Sequence, residues 1–201
     1  MTQRVYKVAL IDIDGVINHA TRFSERYSAK YGVPIEKMLP FFKGQFQDCL
    51  VGERDLKEIL PNYFEDWSWK GTVDELLDYW FAGEINPDKD VMQLIKDLHA
   101  KGVKTVGASN QERYRMNYLR EALHLDDYME TSYSSAEVGS LKPEPEFYQY
   151  ILNELAVKPE EVVYWDDDIN NVASARDLGI KSYRFTNKQD FMRQFKECFP
   201  E

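Results

Sequence analysis

The sequence predicts an α/β fold in which a parallel sheet is covered by helices on both faces. Apolar segments that end in small or acidic residues have the character of buried strands. Segments with helical periodicity lie between them from about residue 88 onward, which is typical of strand–helix–strand units. One long stretch, residues 18–83, interrupts this alternation with helical patterns only. A chain of 201 residues with this pattern fits one domain that carries an insertion.

Five segments are predicted strands. The first, residues 5–15, starts as an apolar run and ends at Asp12, Asp14 and Gly15. The others are residues 103–110, 130–135, 162–168 and 181–185. The first four end in polar residues, as buried strands do where they reach a ligand-binding loop.

Helices are predicted between the strands, because apolar residues recur there at helical spacing. The apolar faces are formed by Val91, Leu94, Ile95 and Leu98, by Met116, Leu119 and Leu123, by Phe147, Ile151, Leu152 and Leu155, and by Ile169, Val172 and Leu178. Pro145 suits a first helical position, and Gly179 suits the end of the last helix.

The interruption after the first strand is predicted to be a helical insertion. Helical patterns cover residues 23–31, 35–42, 56–64 and 73–81. An insertion at this point lies above the carboxyl edge of the sheet, where open α/β folds bind ligands, so we interpret it as a lid. Pocket-facing candidates within it are His19, Lys43, Arg54 and Trp67, although ordinary surface or packing positions are the commoner role for such residues.

Composition excludes several classes of function. Lys plus Arg is 25 and Asp plus Glu is 35, so the net charge of −10 argues against a surface that binds nucleic acid or anionic membrane. The apolar run at residues 8–11 is too short for a signal or a spanning segment. Two distant cysteines, Cys49 and Cys198, suit free thiols better than a disulfide. We expect a cytoplasmic protein without nucleic-acid or membrane partners; its oligomeric state is not predicted.

Acidic residues end two of the predicted strands. Alternation along a strand points Asp12 and Asp14 to one side, where a cation or a shared proton would relieve their repulsion. The triplet at residues 166–168 is costly at a buried sheet edge unless a hard cation such as Mg²⁺ neutralises it. The alternative is a pair of solvated acidic loops, in which Asp168 caps the helix at Ile169.

An anion site is predicted beside these acids. Ser109 and Asn110 end the second strand, and a hydroxyl with free backbone N–H groups can bind an anion. The alternative is that they cap a helix that begins near Gln111. Lys142 lies in a loop just before another predicted helix, from which its ammonium group can reach back to the same anion.

The order of these motifs resembles the haloacid dehalogenase (HAD) superfamily of hydrolases. Asp-x-Asp, Ser-Asn, Lys-Pro and Asp-Asp follow one another at successive strand ends, and the match spans nearly the whole chain. Neighbouring residues also match the family pattern. These are the Lys-Pro-Glu-Pro run that begins at Lys142, and Asn171 and Ala175 after the acidic pair. The resemblance implies a Rossmann-like, three-layer core formed by residues 1–17 and 84–201, with an all-helical cap at residues 18–83.

The resemblance also implies a role for each residue. Asp12 matches the nucleophile that forms an aspartyl-phosphate, and Asp14 matches the acid/base that protonates the leaving oxygen and then activates water. Ser109 and Lys142, with Asn110 beside them, match the groups that hold the phosphoryl oxygens.

A magnesium site completes the expected machinery. Asp167 matches the direct Mg²⁺ ligand, joined by the Asp12 carboxylate and the Asp14 backbone carbonyl, with Asp166 in support. Two residues depart from the family pattern. Trp165 replaces an aliphatic residue or phenylalanine, and Asp168 adds a third acid without an assigned role.

These residues predict a Mg²⁺-dependent phosphatase that acts on a small phosphorylated metabolite, which we expect to be a sugar phosphate. Asp14 argues against the dehalogenase and phosphonatase branches of the family, which lack an acid at this position. Two alternatives remain open: a phosphosugar mutase of the same family, and a non-catalytic HAD-fold protein that binds a partner or ligand.

Overall fold

Five parallel strands form the sheet at the centre of the computed structural model, which describes residues 6–200. The strands are β1 (Val8–Ile11), β2 (Lys104–Ser109), β3 (Thr131–Ser134), β4 (Val162–Asp166) and β5 (Lys181–Arg184). All five lie within the predicted segments; Val5, with which the first predicted segment begins, lies outside the described residues. The predicted strand segments are therefore confirmed, with ends shorter than expected.

The strand order is β3-β2-β1-β4-β5, so the chain turns to the other side of the sheet after β3. Ile11 at the end of β1 pairs with Gly107 on one side and with Trp165 on the other. The carboxyl ends of β1, β2 and β4 therefore meet at the point where the winding reverses. This switch point is where open parallel sheets bind their ligands.

The helices differ from the predicted ones mainly at prolines and at short turns. They are α1 (Phe23–Tyr31), α2 (Leu39–Lys43), α3 (Gln45–Leu50), α4 (Leu56–Ile59), α5 (Val73–Gly83), α6 (Lys89–Ala100), α7 (Arg113–Ala122), α8 (Ser135–Val138), α9 (Pro145–Glu154), α10 (Ile169–Asp177) and α11 (Lys188–Cys198). The predicted helix at 35–42 is instead a 3₁₀ turn followed by α2, with Pro40 in its first turn. The one at 56–64 becomes 3₁₀ after α4, where Pro61 lies. No helix within residues 6–200 is long and apolar enough to cross a membrane.

Alternate side chains along β1 and β4 point to opposite faces of the sheet. Ala9 and Ile11 of β1 pack with α6, α7 and α11, whereas Val8 and Leu10 pack with α9. Trp165 is fully buried on the first face, and its Nε1 donates to Oε1 of Gln194 across 3.0 Å. Helices thus cover both faces of the sheet, and the three layers expected from the sequence are confirmed.

The helical insertion (residues 23–83, α1 to α5) has an apolar cluster of its own. Trp67 and Trp80 lie in it, and Tyr114 and Tyr118 of α7 pack against it. Cys49 is buried in this cluster and Cys198 in the core, and both are free thiols. The insertion therefore carries its own packed interior, and it rests on α7 and, through α3, on α8.

Two linkers join the insertion to the sheet, and backbone hydrogen bonds pair them. His19 N donates to Asn86 O across 2.9 Å, and Asp88 N donates to Ile17 O across 2.8 Å. The Asn18 side chain adds two hydrogen bonds to the backbone of the returning linker, donating to Glu84 O and accepting from Asn86 N. The chain consequently leaves and re-enters the sheet layer at one place.

Candidate active site

A polar cavity of about 580 Å³ opens at the carboxyl ends of β1, β2 and β4. Its lining includes six of the seven predicted site residues: Asp12, Asp14, Ser109, Asn110, Lys142 and Asp167. The seventh, Asp166, is fully buried beneath it. The fold therefore brings together side chains from four separate segments of the chain.

Lys142 lies between two of the acids. Its Nζ is 2.8 Å from Oδ1 of Asp12 and 2.8 Å from Oδ2 of Asp166, and it donates to Ala108 O across 2.9 Å. Burial lowers the pKa of this ammonium group, but the charges of Asp12 and Asp166 outweigh burial and hold the pKa above its usual value. Lys142 therefore stays protonated and supplies a buried positive charge.

The two oxygens of Asp12 have different environments. Oδ1 accepts from Ile13 N across 2.7 Å and contacts Lys142, and every hydrogen bond to Asp12 from the described residues falls on this oxygen. Burial raises the pKa of Asp12 well above its usual range; Lys142 opposes this shift, and Asp166 adds to it. Oδ2 is thus the oxygen left for a ligand or for attack on a substrate.

Asp166 is held by donors on all sides. Oδ2 accepts from Tyr164 OH and Lys142, and Oδ1 accepts from the backbone N of Asp168 across 2.8 Å. The Asn171 amide donates to both oxygens, at 3.1 and 3.0 Å. Burial alone would raise the pKa of Asp166, but Lys142 and these donors lower it. Asp166 is accordingly a fixed anion that orients Lys142.

Three carboxylates could hold a metal ion. Oxygens of Asp12, Asp166 and Asp167 lie within 4.8 Å of one another. Together with Lys142 they carry a formal charge of −2 (three negative charges and one positive), which a divalent cation would neutralise. Burial and the charge of Asp166 raise the pKa of Asp167, as expected where anions crowd without a counter-ion. The donor set, all oxygen, is the one that Mg²⁺ prefers.

Gly15 makes room for this group. Its φ is +90°, and a Cβ placed on it would lie 2.3 Å from Cγ of Asp167. Only glycine satisfies both conditions without strain. The loop after β1 can therefore approach the loop after β4 closely enough to bring Asp12 and Asp167 together.

Asp14 faces a separate set of donors in the same cavity. Arg115 Nη1 and Gln111 Nε2 each donate to Oδ2 across 2.7 Å, and Asn18 Nδ2 donates to Oδ1 across 2.8 Å. Burial would raise the pKa of Asp14, but the charge of Arg115 and these hydrogen bonds lower it. Its side chain is still 40% exposed, so it remains accessible to a ligand.

Ser109 and Asn110, at the end of β2, do not have the helix-capping role that was the alternative interpretation of the sequence. The helix begins at Arg113, and Glu112 caps it by accepting from the backbone N of Tyr114 and Arg115. Neither Ser109 nor Asn110 caps α7. Asn110 instead binds the backbone of Lys142 in both directions, at 2.8 and 2.9 Å, which fixes the Lys142 loop beside Ser109.

The remaining sequence candidates fall into two groups. Asp168 caps α10 by accepting from Asn170 N, which gives this unassigned acid a structural role. Of the four pocket-facing candidates predicted between residues 18 and 83, only His19, in the linker before α1, lines the polar cavity. Lys43 is exposed, Arg54 pairs with Asp48, and Trp67 is fully buried in the insertion.

The residues of the cavity lining that were not predicted include Asn18, Arg22, Glu84, Gln111 and Arg115. Arg115 could have been identified from the sequence, because it adjoins the apolar helix face formed by Met116 and Leu119, where an arginine is unusual. Arg22 and Glu84 flank the insertion, and nothing in their local sequence distinguishes them from surface charges. Their position depends on how the two linkers pair.

Comparison with known proteins gives one family and several relatives. The family model of haloacid dehalogenase-like hydrolases matches residues 6–179. Bifunctional epoxide hydrolase 2 of Mus musculus is 35% identical over 223 residues, covering 97% of this chain and 40% of that protein. The chain thus spans less than half the length of this relative. The phosphorylated carbohydrates phosphatase of Thermotoga maritima is 25% identical over 193 residues, covering 87% of this chain and 82% of that enzyme.

A solved structure shares the fold. A HAD family enzyme from Bacteroides thetaiotaomicron, determined in complex with magnesium and inorganic phosphate, superposes with a TM-score of 0.81 at 22% identity. The superposition covers 94% of this chain and 99% of that one. The likeness extends over the insertion as well as the sheet, because so little of either chain is left out.

Proposed function

The chain belongs to the haloacid dehalogenase-like hydrolases, and from this premise we propose that it is a Mg²⁺-dependent phosphatase acting on a small phosphorylated metabolite. One observation carries the proposal. Asp12 belongs to a group of three carboxylates with oxygens within 4.8 Å of one another, and Lys142 lies 2.8 Å from its Oδ1. Oδ2 of Asp12 accepts no hydrogen bond from the described residues. This arrangement suits a carboxylate that attacks phosphorus beside a divalent cation.

The chain's division into two parts supports this function. We assign residues 1–17 and 84–201 to a catalytic core and residues 18–83 to a cap. The separate apolar cluster of the insertion and the paired linkers at Asn18 support this division. A cap over the polar cavity excludes water from a reactive intermediate.

The acidic group fits Mg²⁺, which Asp12 and Asp167 would hold through their carboxylates and Asp14 through its backbone carbonyl, with Asp166 in support. When bound, the cation offsets the repulsion between Asp12 and the phosphate and polarises the phosphoryl oxygens. Lys142 contributes a fixed positive charge at Oδ1 of Asp12, and Ser109 would offer its hydroxyl to a phosphoryl oxygen.

In the first step, Oδ2 of Asp12 forms a bond to phosphorus while the bond from phosphorus to the substrate oxygen breaks. Asp14 gives its proton to that oxygen, so the alcohol leaves neutral. Arg115 opposes protonation of Asp14, whereas a dianionic phosphate bound nearby raises the pKa of Asp14 again. Substrate binding therefore prepares Asp14 to act as the acid.

In the second step, Asp14 accepts a proton from water, and the water oxygen attacks phosphorus. The bond between phosphorus and Asp12 breaks, which restores the carboxylate and releases inorganic phosphate. The proton gained by Asp14 replaces the one it gave up, so the cycle closes on the starting state.

The sequence predicts a sugar phosphate as the substrate, and the name of the Thermotoga maritima relative is consistent with that prediction. The net charge of −10 argues against nucleic acid as a substrate. A cytoplasmic location remains a prediction from the sequence.

Hydrolysis of p-nitrophenyl phosphate by the purified chain, with Mg²⁺ and with excess EDTA, tests the proposal. We expect turnover with Mg²⁺, loss of turnover in EDTA, and no turnover by Asp12→Asn, because an amide cannot form the acyl-phosphate. A mutase would isomerise a sugar phosphate without net release of phosphate. A binding protein would do neither, and unchanged activity in EDTA or in Asp12→Asn would contradict the mechanism.

A further inference from the structure

A second cavity adjoins the polar cavity on the side of the helical insertion. Its volume is about 510 Å³. Six residues line both cavities: Asp14, Arg22, Glu84, Asn110, Gln111 and Arg115. Because Asp14 belongs to both linings, a group bound at Asp14 stands at the boundary between the two spaces.

The rest of this second cavity, here called the aromatic cavity, is lined mainly by apolar side chains of the insertion: Phe23, Leu39, Phe42, Phe46, Leu50 and Trp80. The ring centroid of Phe46 lies 5.5 Å from that of Phe42 and 5.6 Å from that of Trp80. Phe42 and Phe46 are only half-buried, and Leu39 is 37% exposed. A contiguous apolar surface left accessible beside a polar site is typical of a ligand contact.

Away from its boundary with the polar cavity, the aromatic cavity offers few polar groups to a hydroxylated ligand. Beyond the boundary residues, Ser24 and Gln47 supply the polar side chains of the lining. The indole N–H of Trp80 already donates to Oε2 of Glu84 across 3.0 Å. A hydroxyl moved from water to these rings would lose hydrogen bonds, whereas a hydrocarbon chain would gain by leaving water.

We propose, resting on the phosphatase function above, that the substrate is the phosphate monoester of an apolar alcohol rather than the sugar phosphate expected from the sequence. The hydrocarbon part of this alcohol lies in the aromatic cavity. The phosphate lies at Asp12 and Lys142, and the leaving oxygen lies at Asp14, which protonates it. The carbon chain beyond that oxygen then continues across the boundary to Phe46 and Trp80. Transfer of the phosphoryl group to Asp12 breaks the bond between phosphorus and oxygen, and the alcohol leaves with the proton from Asp14.

The test is a chain-length series measured with the full chain and Mg²⁺. Ethyl, butyl, hexyl and octyl phosphate are compared with glucose 6-phosphate and acetyl phosphate, all below concentrations at which micelles form. We expect kcat/KM to rise by up to about fourfold for each methylene that enters the cavity. Hexyl phosphate should then exceed glucose 6-phosphate, which has the same number of carbons.

Two variants locate the effect. The first is Phe46→Gln, and the second is Leu39→Gln, at a more exposed position that tolerates substitution. In both variants, kcat/KM for octyl phosphate divided by kcat/KM for ethyl phosphate should be smaller than in the wild type. Phe64→Gln is the matched control, because Phe64 is a half-buried aromatic residue of the same insertion that does not line the aromatic cavity. This control should retain the wild-type ratio.

The outcomes separate the two proposals. Hydrolysis of acetyl phosphate without any rise along the alkyl series, or a preference for glucose 6-phosphate over hexyl phosphate, overturns the apolar substrate while the phosphatase function stands. Failure to hydrolyse every phosphate, acetyl phosphate included, overturns the phosphatase function and the substrate class with it. An equal loss of the chain-length ratio in Phe64→Gln would also overturn the aromatic cavity as the binding site.

Discussion

Arg115 donates a hydrogen bond from Nη1 to Oδ2 of Asp14 across 2.7 Å, although the two residues lie 101 positions apart in the sequence. The same guanidinium places Nε 3.0 Å from Oε2 of Glu84, at the end of the insertion. The Arg115 side chain is only 7% exposed. One buried cation therefore joins the loop after β1, helix α7 and the linker that returns from the insertion.

Replacing Arg115 with methionine should destabilise the protein, because Asp14 and Glu84 would lose their shared partner. We expect a loss of about 3 kcal/mol in the free energy of unfolding, measured by urea denaturation. Arg113→Met is the control, since Arg113 is exposed on the same helix. Equal unfolding midpoints for Arg115→Met and the wild type would contradict a stabilising role for this ion pair.

The acid role proposed for Asp14 predicts a dependence on the leaving group. Asp14→Asn should slow hydrolysis of an alkyl or sugar phosphate by about 10²-fold or more, because an alkoxide needs a proton to leave. The loss with p-nitrophenyl phosphate should be much smaller, since p-nitrophenolate is already a stable anion. Steady-state kcat on both substrates measures the difference. Equal losses would mean that Asp14 positions other groups, and chloride release from 2-chloropropionate would contradict a phosphatase.

Asp167 and Asp168 are neighbours with different expected roles, which makes them a matched pair. Asp167→Ala should raise the Mg²⁺ concentration for half-maximal activity at least about tenfold, because a carboxylate ligand is lost. Asp168→Ala should keep the Mg²⁺ requirement and lose about 1 kcal/mol of stability, since its side chain caps α10. Titration of activity with Mg²⁺ distinguishes them, and similar curves for the two variants would remove Asp167 from the metal site.

Gly15→Ala should disturb the approach of Asp167 to Asp12. The added Cβ would lie 2.3 Å from Cγ of Asp167, and a displacement of about 1 Å can reduce turnover about 10²-fold. Gly102→Ala is the control for backbone strain alone: Gly102 also has positive φ, at +83°, but its Cβ would meet nothing within 4 Å. Both variants should lose about 1 kcal/mol of stability. If they retain equal activity, the clash with Asp167 is unimportant.

Glu112 should make stability depend on pH. Burial raises the pKa of Glu112 from 4.5 to about 7, so between these values the folded protein holds a proton that the unfolded chain releases. Stability therefore falls as pH rises from about 4.5 to about 7 and then levels off. Glu112→Gln removes this dependence and should stabilise the protein at pH 8 by up to about 3 kcal/mol.

Urea denaturation at pH 4 and at pH 8 checks this prediction for Glu112. The gain should vanish at pH 4, where both states of the wild type are protonated. Glu121→Gln, at an exposed position of α7, should show no such pH dependence. A destabilised Glu112→Gln at pH 8 would mean that the charged cap of α7 outweighs the penalty for burying the carboxylate.

The sequence predicted the strands well because their apolar runs are short, continuous and bounded by polar residues. Asp12, Ser109 and Asp166 could be identified as candidates because each directly follows or ends such a run. The contacts of Asp14 could not, since Arg115 and Gln111 reach it only after α7 has packed beside β1. Likewise, Asn110 resembles a helix cap locally, and only the tertiary fold brings its amide to the Lys142 backbone.

The helices of the insertion were predicted less accurately for a local reason. Pro40 and Pro61 lack the N–H that continues a helix, so the periodic patterns around them divide into 3₁₀ and α segments. The aromatic cavity was not predicted either. Phe42, Phe46 and Trp80 belong to separate helices, and their periodicity alone does not distinguish a cavity wall from an interior.

The paired linkers constrain how the insertion can move. Because His19 and Asp88 donate across the pair, the two linkers must bend together, as a double-stranded joint rather than as independent tethers. Asn18 lies in that joint and donates to Oδ1 of Asp14 across 2.8 Å. A rotation about the joint would therefore displace Asn18 relative to Asp14, and it would couple access for the substrate to the position of the carboxylate proposed to transfer the proton.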